Sequence, residues 1–116
     1  MSRVTAALLI TFPLLSASAQ AADDRYGIAG AGAASCGAWI EARQADDRST
    51  NLMLTSWLQG FLSGMNTQRY LLTKQEYSLI PDSPTLLAYV DKACRDNPLS
   101  NGYVVAMRLY QEMQKP

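Results

Sequence analysis

The sequence predicts an all-α fold, a small bundle of about four short helices pinned by one disulfide. Apolar residues recur at spacings of three and four in several segments, and a residue that can cap a helix stands before each of them. Two cysteines, Cys36 and Cys94, can tie two of the helices together. No segment shows the strict alternation of apolar and polar residues that is typical of a strand.

The first 21 residues predict a cleaved secretory signal peptide. Arg3 supplies a short positive start, residues 4–15 are almost wholly apolar, and AQA at 19–21 fits the cleavage pattern. The apolar run is about 12 residues long, whereas a membrane helix needs roughly 20, so we expect no membrane span in the mature chain. We expect cleavage after Ala21, with Ala19 as the alternative, and a periplasmic location.

The charge balance argues against nucleic acid as a partner. The chain has ten basic residues, ten acidic residues and no histidine. Loss of Arg3 with the signal peptide leaves nine basic residues and therefore a net charge of −1. A near-neutral chain without a cluster of lysine and arginine is typical neither of nucleic-acid binding nor of docking on anionic lipid.

An exported chain meets an oxidising compartment, so we expect Cys36 and Cys94 to form a disulfide. The bridge would close a loop of about 58 residues, for which the chain-entropy estimate of stabilisation is roughly 4 kcal/mol. Two thiols without any histidine do not complete a tetrahedral metal site. We therefore expect no metal and no cofactor.

The mature chain divides into a leader at 22–34 and a single helical domain at 35–116. The leader is rich in glycine and alanine and aperiodic, which is typical of a flexible segment. Its glycines do not predict a phosphate-binding loop, because no strand precedes them and no Gly-Lys-Ser/Thr follows.

The first helix begins after Ser35, which can cap it. Its apolar side carries Cys36, Trp39 and Ile40, with Arg43 at the same spacing. Because Arg43 follows Trp39 by four residues, it can stack on the indole or anchor the next loop. We prefer this structural role for Arg43 over contact with a ligand.

The second helix carries WLQGFLSGMN at 57–66, inside a run at 51–68 that has no charged residue. Ser49 or Thr50 can cap it. At about 100° per residue, its large apolar side chains fall within an arc of about 140°, and serine, threonine, asparagine and glutamine fill the opposite side. The pattern predicts a soluble amphipathic helix and not a membrane span.

Gly60 and Gly64 lie on one flank of this second helix, four residues apart. Each glycine costs a helix about 1 kcal/mol against alanine, so the pair indicates a packing reason. We expect another helix to come close there, within the domain or across a homodimer. The predicted protein-interaction or helix-packing surface consists of Trp39, Trp57, Gly60, Phe61, Leu62 and Gly64.

Two capping residues followed by proline mark the later helices. Ser83 before Pro84 begins a third helix at roughly 84–95, and Asn97 before Pro98 begins a fourth at roughly 98–114. Between the second and third helices, residues 70–80 either extend the helix or form an irregular excursion. The many tyrosines are typical of protein interfaces or of the edge of a core.

Catalysis has few candidate residues in this chain. Without histidine, Ser-His-Asp and Cys-His arrangements are excluded. A small carboxylate-dependent hydrolase of cell-wall glycans is the enzymatic alternative, and Glu41 beside Trp39 is its only candidate acid. That hypothesis expects Glu41 in a cleft with a second acid within about 10 Å. We expect no enzyme.

Three short stretches carry a resemblance to a known family: CGAWI at 36–40, WLQGFLSG at 57–64 and CRDNP at 94–98. With them the chain resembles the small secreted two-cysteine helical proteins around HdeA and HdeB, the periplasmic acid-stress chaperones. It resembles more loosely the periplasmic immunity proteins that neutralise type VI amidase effectors. The resemblance implies a disulfide-pinned bundle, often dimeric, that binds other proteins, either unfolding clients or one specific effector.

Overall fold

The computed structural model describes residues 27–116, and there it confirms the predicted all-α fold. A 3-10 helix at Gly30–Ala33 comes first. Four α-helices follow it, with α1 at Cys36–Gln44, α2 at Arg48–Thr73, α3 at Ser83–Asp96 and α4 at Gly102–Met113. The predicted signal peptide and the start of the leader lie outside the described residues. No helix within 27–116 combines the length and the apolar character needed to cross a membrane.

The predicted disulfide between Cys36 and Cys94 is present and joins α1 to α3 across 58 positions of sequence. Both cysteines are completely buried, and their Cα atoms are 4.9 Å apart. The bridge therefore lies inside the core that all four helices share. The largest side chains buried with it are Trp39, Leu58, Leu62, Leu86, Val90 and Val105.

Each helix begins with a side-chain oxygen that accepts from the backbone N–H three residues later. These capping residues are Ser35, Asp47, Asp82 and Asn101. The predicted cap at Ser35 is confirmed. The predictions of Ser49 or Thr50 for α2 and of Ser83 for α3 are wrong, because a carboxylate stands just upstream in each case. An ionised oxygen is the stronger acceptor and also suits the positive end of a helix dipole.

The fourth helix starts later than the predicted cap at Asn97. Residues 98–100 form a turn instead, and the backbone there bonds to the start of α1. The N–H of Cys36 donates to the Ser100 carbonyl at 3.0 Å, and the N–H of Gly102 donates to the Ala34 carbonyl at 3.0 Å. These long-range bonds hold residues 98–101 outside α4.

The end of the leader packs on the domain, so the prediction of a flexible segment is wrong for this part. We call residues 29–34 the strap. The buried Gly32 lies so close to Trp57 that a Cβ there would be 1.9 Å from the indole ring. The indole N–H of Trp57 donates to the Ala29 carbonyl at 2.9 Å. Glycine therefore serves close approach of the strap backbone to a large ring.

Gly60 and Gly64 make no close helix approach within the domain. Both are exposed, and no other part of the described chain lies within 4 Å of a Cβ placed at either position. The expectation that a helix of the same domain packs there is wrong, because the glycines face outward on α2. Approach of a second copy of the chain stays a prediction.

Residues 70–80 first extend the second helix and then form an irregular excursion, so both alternatives that the sequence left open occur. The helix α2 continues through Thr73 and ends at Lys74, whose φ of 58° is left-handed. From there the chain runs to Asp82 without a helix or a bend. We call residues 75–81 the return segment, because it leads from the end of α2 back to the start of α3.

Candidate protein-interaction surface

The end of α2 and the return segment expose an unusual density of large apolar side chains. We call this surface the tip, and it consists of Tyr70, Leu71, Leu72, Tyr77 and Leu79. Their exposed fractions run from 53% for Tyr70 to 83% for Leu79. Three consecutive residues of a helix point in directions spread over about 200°, so solvent surrounds this last turn. Scattered apolar residues are common on surfaces, but a group of this kind marks an interaction site.

The turn at Lys74 positions the tip. The N–H of Lys74 donates to the carbonyl of Tyr70 at 2.8 Å, and its ammonium lies 5.2 Å from the centre of the Tyr70 ring. Arg69 donates to the side chain of Gln75 at 2.8 Å, which fastens the first residue of the return segment to α2. The chain reversal therefore has a defined geometry, and Tyr70 of α2 lines the same groove as Tyr77 of the return segment.

The side-chain amide of Asn66 holds the middle of the return segment. Its Nδ2 donates to the carbonyl of Ser78 at 2.8 Å, and its Oδ1 accepts from the Ser78 N–H at 3.3 Å. Asn66 is buried on the inner side of α2. Gln114, the residue just after α4, donates from its side-chain Nε2 to the Ser78 hydroxyl at 2.8 Å. Ser78 faces inward through all three contacts, while its neighbours Tyr77 and Leu79 are left exposed.

A groove of about 330 Å³ lies between α2 and the return segment. Tyr70 and Tyr77 line it together with Ile80, and the polar wall comes from α2. Tyrosine offers apolar area with a polar end, which is why it is enriched where proteins bind each other. The groove and the tip form one continuous surface, since Tyr70 and Tyr77 belong to both.

The six residues predicted as an interaction or packing surface do not form one surface, although Trp57, Gly60 and Phe61 line one groove of about 440 Å³ beside the start of the strap. Trp39 and Leu62 are completely buried, so they act in helix packing. Gly60 and Gly64 are exposed on the outer flank of α2. The predicted set is thus divided between the core, which holds Trp39 of α1 and Leu62 of α2, and the exposed side of α2.

Trp57 and Phe61, the last two of that set, form an aromatic row that the strap covers in part. Their rings stack with centroids 5.2 Å apart, and Phe61 meets Tyr103 of α4 edge to face at 5.7 Å. Both are packed against the core and half-buried. The carbonyl of Ala29 accepts a hydrogen bond from the indole N–H of Trp57. This row joins α2 to α4, and its main contacts are internal.

A polar network at the other end of α2 centres on Asp91. Its Oδ1 accepts from the Trp39 indole at 3.0 Å and from Arg43 Nε at 3.1 Å, and Oδ2 forms an ion pair with Arg43 at 3.1 Å. Arg43 also donates to the side chain of Asn51, which lies in the first turn of α2. Asp91 is mostly buried, with 17% of its side chain exposed. The anchoring role predicted for Arg43 is confirmed by this geometry.

Beside this network an open groove of about 540 Å³ separates the start of α2 from α3. Its polar lining includes Arg43 and Asp91, which form an ion pair with each other. Its apolar lining includes Leu52 and Leu87. The groove is larger than the one at the tip, and two of its charged groups, Arg43 and Asp91, join α1, α2 and α3 through their contacts.

Glu41 was the only candidate acid that the sequence offered for a hydrolase. Glu41 is exposed on α1 and lines neither of the two grooves described above. This position differs from the cleft in which the hydrolase hypothesis expects Glu41. On the surface between α3 and α4, burial and the neighbouring Glu112 carboxylate raise the pKa of Tyr89 to about 12, so its phenol is neutral at physiological pH.

Sequence reasoning missed the tip as a site. The available signal was YLLTKQEYSLI at 70–80, where large apolar residues stand side by side instead of at spacings of three and four. Such a pattern cannot bury all its members on one side of a helix. In comparisons with known proteins, no protein-family model, curated protein or solved structure matches the chain.

Proposed function

We propose that the chain is a non-catalytic periplasmic protein that works by binding another protein through the tip. One observation carries the proposal: five large apolar side chains are more than half exposed at a place where the backbone is held by specific hydrogen bonds. Exposing apolar area to water has a free-energy cost of about 25 cal/mol per Å², which a bound partner would recover. An ordered surface also loses less conformational entropy on binding than a mobile one.

The way the tip is held favours binding at neutral pH. Asn66, Ser78 and Gln114 are uncharged, so protons do not change the contacts that present Tyr77 and Leu79. The surface is therefore formed without any acid-induced loosening. This supports the immunity or inhibitor form of the hypothesis, in which one specific partner is bound.

A pull-down from periplasm at neutral pH tests this proposal. The baits are the unchanged mature protein, Leu72→Asp, Leu79→Asp and a matched control, Leu99→Asp. Leu99 is 97% exposed and precedes the start of α4, whereas the tip lies beside the end of that helix, where Gln114 contacts Ser78. We expect the two tip variants to lose a partner that the control retains. Equal capture by all four baits, or no partner with any, would contradict the proposal.

A second candidate function is the acid-stress chaperone, and Asp91 is the observation that favours it. One carboxylate holds Trp39 and Arg43, so loss of its contacts would weaken the junction of α1 with α3. Acid would also move the net charge of the mature chain from about −1 toward +9, which favours loosening of the packing. The disulfide would still join the two helices.

An aggregation assay with an acid-denatured client separates the two forms. At about pH 2.5 the chaperone form predicts suppression of client aggregation, because most carboxyl groups are then protonated. Asp91→Asn should shift the onset of suppression toward neutral pH. Cooperative retention of structure at this pH, with no suppression, would leave only the neutral-pH form.

A further inference from the structure

The return segment has one hydrogen-bonding edge that the described chain leaves open. In an extended chain, the N–H and C=O of one residue point to one side, and those of both neighbours point to the other. Asn66 binds both backbone groups of Ser78, as a neighbouring strand would. The C=O of Tyr77 and the N–H of Leu79 lie in the trans peptide groups on either side of Ser78, so they face away from Asn66, and within residues 27–116 they make no hydrogen bond.

The side chains beside this edge suit a second extended segment. Residues two apart in an extended chain lie on the same face, so Tyr77 and Leu79 share one. Both are highly exposed, at 69% and 83%. Aromatic and β-branched residues opposite such positions are the pairs that stabilise neighbouring strands.

We infer that the partner is bound as an extended peptide segment that adds a strand to Tyr77–Leu79. Its backbone pairs with the open N–H and C=O groups, and its aromatic or β-branched side chains at alternate positions cover Tyr77 and Leu79. This inference rests on the proposed function and specifies the kind of partner that the tip takes. The return segment is short and held by a side chain on its other edge, so it accepts one segment and does not extend into a larger sheet.

The edge also explains why an amide side chain holds Ser78. A helix offers no free backbone donors along its side, so α2 can bind an extended neighbour only through side chains. Asn66 presents one donor and one acceptor at the spacing of a peptide group. Ser78 is thus held on one side of the return segment, while the C=O of Tyr77 and the N–H of Leu79 stay available on the other.

Binding of short synthetic peptides by the mature protein tests the inference. The probes are labelled peptides of about six residues, the usual length of a strand, with valine or tyrosine alternating with threonine. Each peptide is also made in two N-methylated forms, which block the amides of one alternate set or the other. We expect the unmodified peptide to bind, one methylated form to lose binding, and the other to retain it, because only one set faces the edge.

A chain variant gives the reciprocal measurement. Leu79→Pro removes the N–H of residue 79, whereas Leu79→Ala removes the same side chain and keeps that donor. Proline suits an extended segment, and it leaves both bonded groups of Ser78 intact. We expect Leu79→Pro to bind the peptide roughly two- to tenfold more weakly than Leu79→Ala, the usual effect of one hydrogen bond.

Two results would overturn strand addition. One is that no peptide of the panel binds, and the other is that both methylated forms bind as well as the unmodified peptide. Neither result removes the proposed function. If the pull-down partner is still lost on Leu72→Asp, the tip remains the binding surface and only the extended geometry of the partner is wrong.

Discussion

The side chain of Asn66 binds both backbone groups of Ser78, with bonds of 2.8 Å to the carbonyl and 3.3 Å from the N–H. The two residues are 12 positions apart, on α2 and on the return segment. This contact positions the middle of the return segment, because Tyr77 and Leu79 make no hydrogen bond within the described residues. The stability of the return segment should therefore depend on Asn66 more than on any exposed residue near it.

Asn66→Ala should lower the free energy of unfolding by about 1–3 kcal/mol, because it leaves buried groups at Ser78 unpaired. Amide hydrogen exchange at Ser78 should become faster in the same variant. Gln68→Ala, an exposed change two residues along α2, should stay within about 0.5 kcal/mol of the unchanged chain. Slow exchange at Ser78 in Asn66→Ala would mean that other contacts hold the return segment.

The two aspartates that form ion pairs on α3 should differ sharply in their effect on stability. Asp91→Ala removes the acceptor of Trp39 and Arg43 at a mostly buried site and should cost about 1–3 kcal/mol. Asp96 pairs with Lys92 in an exposed setting, so Asp96→Ala should cost less than about 1 kcal/mol. Urea denaturation of both variants measures the difference. Equal losses would show that the Asp91 network contributes no more than a surface pair.

Gly32→Ala should destabilise the fold, because the new Cβ would overlap the Trp57 ring. Overpacking of this kind costs about 1–3 kcal/mol, and it should also displace the strap. Gly27→Ala is the matched control, since nothing lies within 4 Å of a Cβ there. Thermal unfolding and the emission of Trp57 report the two effects. Unchanged behaviour of Gly32→Ala would mean that the strap does not rest on the indole.

Gly60→Ala and Gly64→Ala should each stabilise the chain by about 0.5–1 kcal/mol, because alanine favours the helix and the added methyl meets no neighbour. Denaturation together with sedimentation measures stability and oligomeric state. A loss of stability with a change in oligomeric state would place a second copy of the chain on this face of α2, as the alternative interpretation of the glycine pair predicts.

The caps of α2 and α3 make stability depend on pH at the acid end. Hydrogen bonds from Thr50 lower the pKa of Asp47, and hydrogen bonds from Thr85 lower the pKa of Asp82. A carboxyl whose pKa is lower in the folded chain stabilises the fold above its unfolded pKa of about 3.9. That contribution is lost as pH falls through the lower folded value.

The double variant Asp47→Asn, Asp82→Asn should therefore lose less stability than the unchanged chain between about pH 6 and pH 2, since asparagine caps a helix without titrating. Urea denaturation at several pH values gives both curves. Parallel curves would show that the caps do not contribute to the loss of stability at acid pH, and that other carboxylates account for this loss.

The elements that could be predicted from the sequence are those whose signals are local. Spacings of three and four gave the four helices, and an exported pair of cysteines gave the bridge of Cys36 with Cys94. It failed where partners are distant in sequence. The angular position of Gly60 on a helix does not tell what faces it, and the small size of Gly32 suggests a linker until Trp57 is placed on it. The tip depends likewise on Asn66 meeting Ser78.

Photo-crosslinking in living cells tests the binding role of the tip most directly. A benzophenone side chain at position 79 samples the tip, and the same group at position 99 is the control, since both leucines are almost fully exposed. The account predicts a covalent adduct with another protein from position 79 alone, and its loss when Tyr77→Asp is added. Equal adducts from both positions, or an adduct unaffected by Tyr77→Asp, would contradict it.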